Sequence, residues 1–279
     1  MIHSAESPTV TATPSVIMTI AGSDSGGGAG IQADIKTITV LGGFGVSVIA
    51  ALTAQNGAGV RGIYEIPPDF VLLQLSAVRE GFPVRAAKTG MLASVPIIEA
   101  LGKALTDRDF PLVVDPVCVS QSGHRLLRED AEEALKRIVL PLADVLTPNR
   151  PEAELLSGIP IQGAGDVPKA IACLQKMGAK TVLLKGGHFE EYEGCPHMVD
   201  WLGLPGQEPI ALPHARVDTP NNHGTGCTLS AAVATGLGQG LSVREAVVKA
   251  QDFLTRALAE SFSPGIGAGP PNFLKGIGC

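Results

Sequence analysis

The chain has 279 residues, of which 45% are hydrophobic and 17% charged, and its 21 basic and 27 acidic residues give a net charge of −6. A charged share below the usual ~25% leaves ample apolar material for a large core and excludes disorder except at the ends. No Lys/Arg run exists, which excludes a nucleic-acid binder or a binder of anionic membranes.

Residues 1–15 have neither the basic nor the apolar segment of a secretory signal and read as a disordered lead-in. Val16–Ala21 is an apolar run that suits a buried parallel strand. Ile31–Leu41 carries apolar side chains at helical spacing and stops at Gly42-Gly43. Val46–Ala54 is strand-like. Pro67-Pro68-Asp69 opens a helix through about Glu80, and Val84–Lys88 returns to strand. Val95–Leu105 is helical, Pro111–Asp115 a strand, Glu129–Val139 a helix, Asp144–Thr147 a strand and Arg150–Ser157 a short helix. Asp166–Met177 and Thr181–Lys185 repeat the helix-then-strand unit. Residues 190–217 break the rhythm and predict a small antiparallel excursion; Gly226–Gly238 and Ser242–Ser261 are the final helices.

Such alternation predicts βαβ units and an α/β fold with a mostly parallel central sheet flanked by helices, with residues 16–279 as one domain. The 24 residues Thr37–Val60 carry no charge, yet glycines and Gln55-Asn56 break them, so a helix end and a strand are expected rather than a membrane span. Five cysteines without a CxxC pair or metal-ligand spacing predict a reducing compartment, hence a cytoplasmic protein.

In open parallel sheets ligands bind beyond the carboxyl ends of the strands. The segments that follow the strands are Gly22–Gly30, Gln55-Asn56-Gly57, Lys88–Met91, Asp115-Pro116-Val117, Thr147-Pro148-Asn149 and Lys185–His188. Each alone is explained by an ordinary turn; their coincidence on one edge favours a site. The first glycine loop is neither a dinucleotide fingerprint, because Ile31 stands where a third glycine belongs, nor a P-loop, because no Lys-Ser/Thr follows. His223-Gly-Thr-Gly-Cys-Thr228 is more telling. Glycines on both sides of Thr225, just before an apolar helix, let backbone N–H groups converge as an anion nest. The helix dipole there is expected to favour the Cys227 thiolate; the plainer reading is a glycine-rich helix start with a buried cysteine.

With AGSDSGGGAGIQADIKT, ALTAQN, KTGML, DPV, SG, LTPNRPEAELL, LLKGGH and HGTGCTLSAA in order, the chain resembles the hydroxymethylpyrimidine/phosphomethylpyrimidine kinases of thiamine biosynthesis, from about Val16 to Gly267. These belong to the ribokinase-like superfamily. The resemblance implies a ribokinase-like three-layer sandwich, ATP and Mg²⁺ as cofactors, a homodimer, and two successive phosphorylations of a pyrimidine. By position it implies that Cys227 is the catalytic base, that Gly224, Thr225 and Gly226 hold the transferring phosphoryl, and that Lys185 bridges the ATP phosphates. Asn149 and Glu152 match an Asn-x-x-Glu element that orients Mg²⁺ through water, with Glu152 as the metal residue; they also make a respectable helix cap. Gln55 matches the pyrimidine-reading glutamine, with Ala29, Met91 and Val117 completing the pocket and Asp34 near the substrate face. Asp115 either helps place the phosphates or metal, or ends a strand.

DPVCVSQSG departs from the family pattern: a Met is expected at Cys118 and a small residue or Lys near Gln121. His188 and His223 read as loop and phosphate-site residues. Two rivals stand beside the kinase of thiamine biosynthesis: a pyridoxine/pyridoxal kinase, and a non-catalytic pyrimidine- or nucleotide-binding sensor.

Overall fold

The computed structural model describes residues 13–118, 129–186 and 197–277. The expected lead-in over residues 1–15 thus lies mostly outside the described residues, as do Gln121 and His188. Strand β1 (Val16–Asp24) is followed by helix α1 (Gly30–Val40), the hairpin β2 (Phe44–Asn56) and β3 (Gly59–Glu65), α2 (Pro68–Gly81), β4 (Val84–Thr89), α3 (Val95–Ala104) and β5 (Leu112–Val114). Then come α4 (Glu129–Ala134), β6 (Val145–Leu146), α5 (Arg150–Ser157), α6 (Val167–Lys176), β7 (Thr181–Leu184), a second hairpin β8 (His197–Gly203) and β9 (Ile210–Ala215), α7 (Thr225–Gly238) and α8 (Val243–Ala259).

Among the described residues the strands form one sheet in the order β3-β2-β1-β4-β5-β6-β7-β8-β9. β2, β1, β4, β5, β6 and β7 run parallel, and each edge is finished antiparallel by a hairpin. Successive strand residues point to opposite faces, so one strand feeds two cores. Val16, Met18 and Ile20 join Leu112, Val114, Leu146, Val182 and Leu184 against α2, α3, α4, α5 and α6. Ile17 joins Ala86, Val113, Val145 and Leu183 against α1, α7 and α8. The result is the expected three-layer α/β sandwich.

Three details differ from the sequence expectation. Gln55 and Asn56 belong to β2, which continues through a turn into β3; the uncharged run hides a hairpin because glycines supply its turn. The helix expected over Glu129–Val139 stays α-helical only to Ala134, then widens into a π-turn at Leu135–Val139 and a 3₁₀ turn at Leu140–Leu142. Pro141 lacks the N–H needed to continue it. The excursion expected over 190–217 is antiparallel, and its described part extends the main sheet rather than standing apart.

The strand order reverses between β1 and β4: β2 and β3 lie on one side of β1, and β4 to β9 on the other. That switch point places the first glycine loop beside the Lys88–Met91 turn. α7 reaches the same place from the opposite layer. Leu229 through Thr235 are buried on every side, and side chains stay small where neighbours approach: Gly236 abuts Ala246 and Gly238 abuts Ile17 and Ala86. Burial all round pins the start of α7 over the strand ends.

Candidate active site

A cavity of ≈ 750 Å³ opens at the carboxyl ends of the strands, within the range of small-molecule sites. Its first wall is the glycine loop after β1. The Asp24 carboxylate accepts N–H bonds from Gly26 (2.8 Å), Gly28 (3.1 Å) and Ala29 (2.8 Å), which folds the loop back on itself. Gly30 begins α1 at φ 56°, where a Cβ would strike the Gly22 carbonyl, so only glycine fits. Gly22 in turn lies against the tip of Met91 and donates its N–H to the Met91 carbonyl at 3.0 Å.

Gln55 faces this wall from the end of β2. Its Oε1 accepts from Thr53 Oγ1 at 3.1 Å, and its Nε2 lies 3.4 Å from His223 Nε2. His223 also sits 2.9 Å from Asp24 Oδ2. Burial opposes the Asp24 charge, but His223 and the loop N–H groups outweigh it and hold the carboxyl below the usual range.

The opposite wall is the start of α7. Gly224 is its N-cap at φ 81°, pressed against the Gly28 carbonyl so closely that no Cβ could be accommodated. The N–H groups of the first helical turn have no partner within the helix, though Thr225 N–H reaches the Asn222 carbonyl at 3.4 Å, and Gly224 to Cys227 line the cavity at the positive end of the dipole. Beside Gly226 lie the Lys185 ammonium and the Asp115 carboxylate, 3.4 Å from each other. Asp115 is also held by the Thr147 and Ser230 hydroxyls, each at 3.3 Å. Burial works against the Lys185 charge, but Asp115 and Glu152 raise its pKa above the ordinary lysine value. Burial pushes Glu152 up, against the pull of Lys185.

Asn149 and Glu152 form the complete cap that their spacing suggests: Asn149 Oδ1 accepts from the Glu152 N–H and Glu152 Oε2 from the Asn149 N–H, both at 2.9 Å. The second Glu152 oxygen receives the Cys118 N–H at 3.4 Å. Glu152 still lines the cavity, so the cap and a role toward a ligand are compatible. Val117 lines it too and takes φ 31°, a strained conformation for a β-branched residue costing about 1–3 kcal/mol.

Ala29, Gln55, Met91, Asp115, Val117, Asn149, Glu152, Lys185 and Gly224 to Cys227 all border this one cavity. Asp34 does not. It follows Gly30 by one helical turn and is fully buried beneath the floor, paired with Lys88. The expectation for the Cys227 thiolate is also corrected. Burial pushes this thiol up to about 11, and Asp34 and Asp115 add to that, while Lys88 and the Gly30 N–H pull the other way; burial outweighs the helix dipole.

Three relationships at the cavity were not read from sequence, although Lys88 and His223 lie in segments that were. Lys88 forms part of its floor; a lysine in the apolar strand segment Ala86-Ala87 is the trace it left. The Asp24–His223 pair spans 199 residues, which no local pattern reveals. At the far end Asp200 accepts from the Gly186 N–H (2.9 Å) and Gln251 Nε2 (2.8 Å) and faces His214 at 3.4 Å.

A Mg²⁺ ion keeps several waters and takes one or two carboxylates plus substrate phosphates. Asp115 and Glu152, both nearly buried, both on the cavity wall and flanking Lys185, offer that donor set. No group of three or more metal-ligating side chains occurs among the described residues.

The phosphomethylpyrimidine kinase family profile matches residues 24–272. A hydroxymethylpyrimidine/phosphomethylpyrimidine kinase from Haemophilus influenzae is 46% identical over 92% of this chain and 95% of its own. The thiamine biosynthesis bifunctional protein ThiED of Geobacter sulfurreducens is 45% identical over 92% of this chain and 52% of its own. Among solved structures, the ADP complex of Bacillus subtilis pyridoxal kinase superposes with a TM-score of 0.84 at 34% identity, covering 94% of this chain and 98% of that one.

Proposed function

The chain belongs to the phosphomethylpyrimidine kinase family, and from that membership we infer how its cavity carries out the reaction. It is a phosphotransferase of thiamine biosynthesis that uses ATP to phosphorylate 4-amino-5-hydroxymethyl-2-methylpyrimidine, and then phosphorylates the monophosphate to the diphosphate.

Gln55 reads the pyrimidine edge, since one side-chain amide offers a donor and an acceptor. The Ala29 backbone and the Met91 and Val117 side chains close the pocket around the ring. Gly224, Thr225 and Gly226 present backbone N–H groups to the transferring phosphoryl, whose charge is spread over its oxygens and is stabilised without a covalent step. Lys185 bridges the ATP phosphates as a mobile cation, drawing away from Asp115. Mg²⁺, held by Glu152 through water with Asp115 alongside, would neutralise phosphate charge when bound with the nucleotide; Asn149 keeps Glu152 in place through the cap.

Cys227 accepts the proton of the substrate hydroxymethyl in the first transfer. Its thiolate is a minor form in the free protein, so as a base it is strong but scarce. In the second transfer the acceptor is a phosphate oxygen that is already ionised at neutral pH, and no proton needs removal.

The observation that carries this reading is the seating of Gly224 on the Gly28 carbonyl. It brings the glycine loop after β1 and the start of α7 together on one cavity, which supports assigning the first to the pyrimidine and the second to the phosphates. We extend the proposal to a homodimer in the cytoplasm, built on a single ribokinase-like domain from residue 16 onward. Exposed apolar side chains at this end of the sheet, Leu52 and Tyr64 paired across β2 and β3 with Phe70 and Leu73 on α2, support self-association. No described helix is long and apolar enough to cross a membrane.

Structural likeness to a pyridoxal kinase keeps one rival substrate in view. Offering hydroxymethylpyrimidine and pyridoxal separately with Mg-ATP, and reading product masses, distinguishes them. A pyrimidine product with two added phosphates is expected; preferential turnover of pyridoxal would overturn the role given to Gln55.

A further inference from the structure

At the floor of the cavity lies a buried ion pair that the transfer scheme above does not use. Lys88, 1% exposed, places Nζ 3.0 and 2.9 Å from the two oxygens of Asp34, which is 0% exposed and also accepts from Thr19 Oγ1 at 2.6 Å. As a structural device this is a poor choice, because apolar side chains of similar volume are commonly as stable in such a place. Its position is more informative. Gly30, the first residue of α1, and Cys227 border the same cavity, and the Gly30 backbone favours the thiolate. Asp34 stands four residues on, and so on the same face of the helix. α7, which carries Cys227, packs on both α1 and β4, and Lys88 reaches the cavity floor from β4. Lys88 and Cys227 therefore border one cavity from elements packed against each other, with Asp34 behind Lys88. The other charges that act on the Cys227 thiol are Asp115, beyond β5, and Lys185, beyond β7.

We propose that Lys88 and Asp34 are a positioning pair that sets the protonation of Cys227: Lys88 favours the thiolate, and Asp34 limits that effect by offsetting the Lys88 charge. The inference rests on Cys227 as acceptor of the hydroxymethyl proton. Burial dominates the Cys227 thiol, and around it Lys88 and Asp34 act in opposite senses, the first downward and the second upward. Lys88 itself stays charged: burial opposes its charge, but Asp34, Cys227 and Asp115 together hold its pKa above the ordinary lysine value. A pair kept only for packing would give two damaged variants with the same phenotype. A pair that tunes a thiol gives two variants that diverge.

The test is the rate of iodoacetamide alkylation at Cys227 in nucleotide-free enzyme across neutral to alkaline pH, with the Cys227 peptide resolved by mass spectrometry. Asp34→Asn should react about tenfold faster than wild type at a given pH, the equivalent of one pKa unit, and Lys88→Met about tenfold slower. The turnover number of the first phosphorylation should follow the same order, with KM for the pyrimidine unchanged. Equal alkylation in wild type and Asp34→Asn, or slowing in both variants, would overturn the proposal. Lys88→Met leaves a buried carboxylate unpaired, so the Lys88→Met/Asp34→Asn double variant covers the case in which the single variant does not fold. It should react more slowly than Asp34→Asn, and an equal or higher rate counts against the proposal. Alkylation reads protonation whether or not Cys227 is the base. Failure of that underlying reading shows separately, as undiminished first-step turnover in Cys227→Ala.

Discussion

His223 Nε2 lies 2.9 Å from Asp24 Oδ2, and that one contact joins the two glycine loops. The same carboxylate oxygen receives the Gly28 and Ala29 N–H groups, the His223 ring covers Gly28, and Gly224 rests on the Gly28 carbonyl. The glycine loop after β1 and the start of α7 are thus held together by direct contact, which sets their spacing across the cavity rather than either strand end alone.

Cys227→Ala should separate the two transfers. Removing a general base costs about 10²–10⁴-fold in rate where a proton must leave, as from the hydroxymethyl group. The second transfer, onto an ionised phosphate, should slow by less than about tenfold. Rates measured separately with the alcohol and with its monophosphate check this; equal losses in both would mean that Cys227 acts on the phosphoryl rather than on the acceptor proton.

Gly224→Ala meets both a positive φ and the Gly28 carbonyl, whereas Gly158→Ala meets a positive φ alone with open space around it. The first should lose about 2–3 kcal/mol of stability and about 10²-fold in turnover, through displacement of the N–H nest. The second should lose about 1 kcal/mol and keep full activity. Denaturant midpoints and turnover numbers for the two variants decide it.

Lys185→Met should lower kcat/KM for ATP by about 10²–10³-fold, the scale of removing a charged donor from a developing phosphoryl charge. Asp115 keeps its bonds from Thr147 and Ser230, so the fold should persist. Calorimetric affinity for the pyrimidine should stay as in wild type, and a parallel loss of pyrimidine binding would contradict the assignment.

The Asp200–His214 pair gives stability a definite pH window. Burial works against His214, but Asp200 raises its pKa above the usual 6.5, so this contribution is whole below about pH 6.5 and is lost as pH rises through the higher folded value. Burial opposes Asp200 as well, yet His214, Gly186 and Gln251 lower its pKa. Its contribution is whole above about pH 4 and is lost as pH falls through the depressed value. The difference in urea midpoint between wild type and His214→Gln should therefore be largest between about pH 4 and 6.5 and shrink toward alkaline pH. A difference that grows with pH would reverse the sign.

Much of the frame was legible from the chain because parallel strands are short apolar runs that end on glycine, lysine or a carboxylate. Val16, Leu112 and Thr181 each open such a run, and Gly22, Asp115 and Lys185 close or follow them. The β2–β3 hairpin was missed although Asn56-Gly57 is a recognised hairpin signal, because the uncharged stretch around it reads as one continuous apolar segment and β3 itself is mostly exposed. At the site, ordered motifs located the cavity wall, but the state of Cys227 was misread. A helix terminus can be inferred from sequence, whereas the burial that outweighs it is a property of packing. Asp34 was assigned to the wrong surface for a related reason: its neighbours in sequence face the loop, while its partner Lys88 comes from a strand 54 residues away.

The way each strand feeds two cores has a bearing on how this chain can change over evolutionary time. β6 contributes Val145 to one layer and Leu146 to the other, and β7 alternates likewise through Val182, Leu183 and Leu184. Thr147 and Lys185 come next in line, so whether each points into the cavity or away from it depends on whether an odd or even number of residues precedes it in its strand. One residue gained or lost inside β7 would exchange its contributions to the two layers and turn Lys185 away from the cavity at a stroke. Length variation is thereby confined to the loops and helices, and the spacing inside these very short strands acts as a counting code for the site.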